Sequence, residues 1–134
     1  MRCRLSRVQG LVAIALLSCM LAGCGGRASI SIPPGTASSD VVLDSYLQAL
    51  VAGDCVSARA MESGQLAGEC DTTIRQYAFE RDGGFSLSPG SAEYTVTLTT
   101  QGRAGQFDGD HTWFYYLAQE ANGAWQVTSC GSGP

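Results

Sequence analysis

The sequence predicts an α+β domain: an N-terminal helical pair packed on a curved, mostly antiparallel sheet of about four strands. Three observations lead there. Apolar residues recur at helical spacing between Asp40 and Ala52. From Thr72 onward the repeat shortens to alternation, most clearly where Tyr94, Val96 and Leu98 interleave with Thr95, Thr97 and Thr99. Asn122-Gly123 then separates two apolar runs as a hairpin turn does. Helices first and strands afterwards is the element order of an α+β layout.

Ahead of the domain, residues 1–23 divide as a secretory signal should. Arg2, Arg4 and Arg7 form a basic start, and Val8 to Met20 is an apolar run too short for a comfortable permanent span, which needs roughly 20 residues. Leu21-Ala22-Gly23-Cys24 follows, and it resembles the lipobox of bacterial lipoproteins. The resemblance implies cleavage before Cys24 and lipidation of its thiol. A diacyl group would hold the protein durably, at about 0.8 kcal/mol per buried methylene. The expected partner is therefore a membrane, reached through a lipid anchor on its extracytoplasmic face.

Cleavage would leave 111 residues and remove Cys3 and Cys19. All 12 acidic residues but only five of the eight basic ones follow Cys24, so the mature charge becomes −7. Such a field repels polyanions, which argues against nucleic acid as a partner. Gly25 to Ser39 is rich in Gly, Ser and Pro and poor in side chains that could be buried. Residues 24–39 thus read as the lipidated cysteine and a flexible tether, spanning roughly 20 Å on average. Residues 40–134 read as one domain.

Within that domain, Ser39 or Asp40 can cap the first helix, whose Val42, Leu43, Tyr46, Leu47, Leu50 and Val51 fall on one side. Gly53 ends it. Asp54 caps a second, shorter helix through Cys55, Ala58 and Met61, ending around Ser63-Gly64. Thr73 to Arg81 could be a helix after an Asp71 cap or a strand, its β-branched and aromatic content favouring the strand, and Ser91 to Gln101 is a clearer one. His111 to Glu120 is apolar and aromatic on both faces, as in a central, well-covered strand. Ala124 to Ser129 completes the sheet.

The ending Tyr46-Leu47-Gln48-Ala49-Leu50-Val51-Ala52-Gly53-Asp54, the helical pair, and the strands Thr112-Trp113-Phe114-Tyr115-Tyr116-Leu117 and Gly123-Ala124-Trp125-Gln126-Val127 are together similar to NTF2-like (cystatin-like) lipoproteins of actinobacterial type. The closing Gly131-Ser132-Gly133-Pro134 looks like their short tails. The resemblance implies a cone-shaped sheet curled around a helix. That fold serves isomerases, dehydratases, binding subunits and assembly modules alike, so it assigns no activity.

Cys55, Cys70 and Cys130 remain once Cys24 is lipidated, and three pairings are open. The favoured one is Cys55–Cys70, which clips the second helix to the start of the next element; closing about 15 residues is worth about 3 kcal/mol in the chain-entropy model. The resemblance supports it, since similar lipoproteins carry one cysteine after the Gly-Asp turn and another before the first strand. No Cys-x-x-Cys hook favours zinc. Asp108-Gly109-Asp110-His111 lacks the remaining ligands of a calcium loop and reads as solvated loop charge, so no metal or cofactor is assigned.

An enzyme of this family would need an acid or base facing the cone. Asp44, Tyr46, Tyr77, His111, Tyr115 and Tyr116 could serve, and Tyr46, Tyr77, His111, Trp113 and Tyr115 are the candidate pocket. No spacing selects a dyad, and no catalytic set is assigned. The expectation is a non-enzymatic module binding a small ligand or an envelope protein; the alternative is an isomerase- or dehydratase-like enzyme working in the cone.

Overall fold

The computed structural model describes residues 29–64, 66, 70, 74–101 and 108–132. Residues 1–28, with Cys24 and the expected signal, lie outside them, as do 102–107 and the last two residues.

Helix α1 (Ser39–Ala52) places Val42, Leu43, Tyr46, Leu47, Ala49 and Leu50 in the core. Its cap residue is Ser38 rather than Ser39 or Asp40, and the Ser38 hydroxyl bonds the Asp40 carboxylate instead of the helix backbone. Gly53 ends the helix in the left-handed conformation, φ 67°, donating its N–H back to the carbonyls of Ala49 and Leu50. Helix α2 (Cys55–Ala60) follows at once, and the Asp54 carboxylate accepts from the N–H of Ser57, as an N-cap should.

Four strands make one antiparallel sheet in chain order: β1 (Ile74–Phe79), β2 (Ser91–Thr100), β3 (Gly109–Gln119) and β4 (Trp125–Gly131). The expected first strand is shorter than predicted, because the chain turns into a 3₁₀ segment at Arg81–Gly83. Arg75 is an extra residue in β1, between Ile74↔Thr100 and Gln76↔Thr99. Thr128 is another in β4, and its hydroxyl bonds the carbonyl of Tyr116. Bulges of this kind increase twist, and the sheet is curved and unclosed.

Alternation sorts the sheet into two faces. Ala92, Tyr94, Val96 and Leu98 of β2 and Tyr115 and Leu117 of β3 face the helices and are buried, with Val127 of β4 beside them. Thr95 and Thr97 face away and are exposed. The expectation of a β3 covered on both sides is corrected here: Phe114 and Tyr116 lie on the outer face and stay only half-buried, because both helices pack on the opposite face. The bridge between Phe85 and Glu93 adds Phe85, 65 % exposed, to that outer surface.

Part of the Gly-, Ser- and Pro-rich stretch ahead of α1 is bonded to the domain. Ile30 donates its N–H to Asp54 Oδ2 at 2.9 Å, just beyond the end of α1. Its carbonyl lies 3.0 Å from the Ser57 hydroxyl, and Ile30 and Ala37 pack against the core. Residues 30–38 therefore run back beside α1 from its end to its start. Pro33 and Pro34 stiffen that path, so little chain entropy opposes docking it.

Candidate functional site

The candidate pocket residues are spread over α1, β1 and β3. Tyr46 and Tyr115 are fully enclosed, meeting edge to face at 6.2 Å between α1 and β3. The Tyr46 hydroxyl lies 3.3 Å from a carboxylate oxygen of Glu62. Trp113 is partly buried against the same core. His111 pairs with Leu98 and is half-buried nearer the start of β3, while Tyr116 is on the opposite face.

Tyr77 belongs to a separate cluster at the edge of the sheet. Its hydroxyl donates to Asp44 Oδ1 at 2.7 Å, and Arg81 donates to Asp44 Oδ2 at 2.6 Å. Gln48, one turn along α1, also donates to Asp44 at 3.0 Å, and Arg81 reaches Asp40 at 3.8 Å. Asp40, Asp44 and Gln48 recur every four residues, so they form one stripe of α1, and the 3₁₀ segment turns Arg81 up to it. Burial, with the neighbouring carboxylate acting in the same direction, pushes the Tyr77 phenol up to about 12. It thus remains protonated through the neutral range and acts as a hydrogen-bond donor. The arrangement clasps α1 to β1. Arg81 was not among the residues singled out from sequence; the signal available was the four-residue acidic spacing in α1.

An aromatic row runs inward from the clasp. Tyr77 stacks on Phe79 at 6.3 Å, and Phe79 meets Tyr94 edge-on at 5.7 Å. The Tyr94 hydroxyl is 2.7 Å from Ser39 Oγ, tying the row to the start of α1.

On the outer face, an open groove of about 530 Å³ is lined by Ala78, Phe79, Glu80, Gly83, Thr95 and Thr97. It combines hydroxyls, one carboxylate and apolar surface.

The Asp108–His111 cluster does not converge. Asp110 and His111 point to opposite faces of β3, and Asp110 accepts from Thr99 at 2.6 Å. Among the described residues, no group of three His, Cys, Asp or Glu side chains is placed to hold a metal ion. The favoured Cys55–Cys70 disulfide is present, with Cα atoms 5.6 Å apart, and Cys130 stands opposite Tyr115 on β4. No family model, curated protein or solved structure matches this chain. Among the described residues, no helix is long and apolar enough to cross a membrane.

Asp54, which sequence suggested only as a helix cap, accepts from Ile30 and Ser57 at once. Ser57 Oγ lies 2.7 Å from Asp54 Oδ2, and its single proton serves either that oxygen or the Ile30 carbonyl. The Ser57 hydroxyl first, then the N–H groups of Ile30 and Ser57, hold the Asp54 carboxyl down at about 2. This group fastens the incoming chain to the domain.

Proposed function

We propose that the protein is a lipoprotein anchored through Cys24 at the extracytoplasmic face of a cell membrane, carrying a non-enzymatic NTF2-like module that binds a small ligand or an envelope protein. The observation that carries the binding reading is an open groove on the outer face of the sheet. Side chains of α1 fill the concave face of the sheet, with Tyr46 and Tyr115 both 0 % exposed. The groove along Ala78, Thr95 and Thr97 opens on the convex face instead. To a ligand this groove offers the hydroxyls of Thr95 and Thr97, the Glu80 carboxylate and the Phe79 ring. An isomerase- or dehydratase-like reaction in the cone would need room where those two tyrosines sit.

The curved sheet over a helical pair supports the NTF2-like assignment, and the basic start, apolar run and Leu-Ala-Gly-Cys order support the anchor. The test is the mass of the mature N-terminus, isolated from membranes of a bacterial host that processes lipoproteins. A diacylated Cys24 as first residue is the expected result, with Cys24→Ala leaving the precursor uncleaved. Recovery of the wild-type chain with residues 1–23 attached, or with an unmodified thiol, would overturn the anchor.

A further inference from the structure

We infer that the end of the domain where the anchored chain enters rests on the bilayer, with Ile32 and Val56 seated among the lipid headgroups. The inference depends on the Cys24 anchor proposed above and adds an orientation to it. Its first support is chain length. Ile30 is fastened to Asp54 and Ser57, so only five residues separate the fastened point from Cys24. The six Cα–Cα steps between Cys24 and Ile30 reach at most about 20 Å fully extended. The entry end is thus held at the surface continuously.

The second support is what that end exposes. Ile32 is 56 % exposed two residues beyond the fastened Ile30, and Val56 is 80 % exposed beside Ser57. Val51, 39 % exposed in the last turn of α1, precedes Asp54 by three residues. Phe85 and Leu87 lie at the other end, because Gly84 packs on Tyr94 and Tyr94 meets Ser39 at the start of α1. Fourteen helical residues, about 21 Å, separate the two ends. A net charge of −7 gives anionic headgroups no general attraction for the domain, so the contact is apolar. Two aliphatic side chains cannot hold a protein to lipid unaided, but they can orient one that a diacyl anchor already keeps there.

The experiment is hydroxyl-radical footprinting of the lipidated protein in phosphatidylcholine vesicles, with intact mass reporting the acyl group. The reference is the same protein carrying a 20-residue Gly-Ser insertion between Gly26 and Arg27. A domain seated about nine-tenths of the time should show oxidation of Ile32 and Val56 reduced about tenfold relative to the reference. Phe85 and Leu87, 65 % and 58 % exposed, should be oxidised equally in both and serve as internal controls. Val56→Asp, a change at an exposed position, should restore oxidation of Ile32 without altering acylation. An acylated protein with Ile32 and Val56 as reactive as in the reference overturns the seating alone, as does protection at Phe85 and Leu87 instead. An unacylated Cys24 overturns the anchor and, with it, the seating.

Discussion

Removing the Cys55–Cys70 disulfide tests how much of this small domain depends on stapling. The bridge spans 15 residues and joins the first residue of α2 to the segment leading toward β1. In the chain-entropy model its closure removes about 10 cal/mol/K from the unfolded ensemble, or about 3 kcal/mol at 25 °C. A domain of this size has roughly 5–15 kcal/mol of total stability, so the bridge accounts for about a fifth to three fifths of it. Each kilocalorie moves the midpoint of such a domain by about 4–8 °C, so the double variant Cys55→Ser/Cys70→Ser should melt about 12–24 °C lower. Circular dichroism on thermal denaturation reads this directly. Wild-type protein in reducing agent should fall to the same midpoint, which separates loss of the bond from side effects of the serines. A drop of less than about 4 °C would refute the reasoning, for it would mean that the bridge constrains chain already ordered in the unfolded state.

Three further outcomes are expected. Because the Asp54 carboxyl ionises at about 2 rather than 3.8, the ionised form stabilises the folded chain fully above pH 4, and that contribution fades as pH falls through 2; Asp54→Asn should be less stable than wild type at pH 6, with the difference shrinking between pH 4 and 2 in urea titrations. The Tyr77 phenol should titrate near 12 by ultraviolet absorbance, and Asp44→Asn should bring it part of the way back toward 10, since burial remains when the charge is gone. Folding stability from the neutral phenol should accordingly be complete below pH 10 and be lost as pH rises through 12. Gly84→Ala places a methyl group 2.7 Å from the Tyr94 ring, which is buried and tied to Ser39, so an overpacking loss of about 1–3 kcal/mol is expected in denaturant unfolding, relieved by Tyr94→Leu in the same chain.

Much of the architecture is legible from local pattern. The 3.6-residue repeat of Val42, Leu43, Tyr46 and Leu47, the alternation around Val96, and Asn122-Gly123 each specify an element without reference to anything distant. The Asn122 side chain even accepts from the N–H of Ala124 within its own turn. What local pattern misses is set by long-range partners. Residues 30–38 look loose because Pro, Gly and Ser bury little, yet one carboxylate 24 positions away fixes Ile30. In β3 both faces carry aromatic side chains, so periodicity does not say that Tyr115 is core and Tyr116 is not; the helices decide that. Arg81 reads as the end of a strand until the 3₁₀ segment carries it to Asp44. The full burial of Tyr46 and Tyr115 is hidden from periodicity for the same reason. Tyrosine satisfies a cavity wall and a packed core equally well, and Tyr46 and Tyr115 meet each other.

These fastenings concentrate at one place. Asp54 caps α2, accepts from Ile30 and stands directly before Cys55, so the entering chain, the second helix and the disulfide meet within a few residues. Any pull transmitted from an anchor at Cys24 reaches the domain there first. The hydrogen bonds to Asp54 yield before the covalent bridge does, and their loss would unfasten Ile30 from the end of α1 and from α2. Asp54 thus joins two features that composition alone leaves unrelated: the stability of a six-residue helix and the docking of the chain that enters the domain.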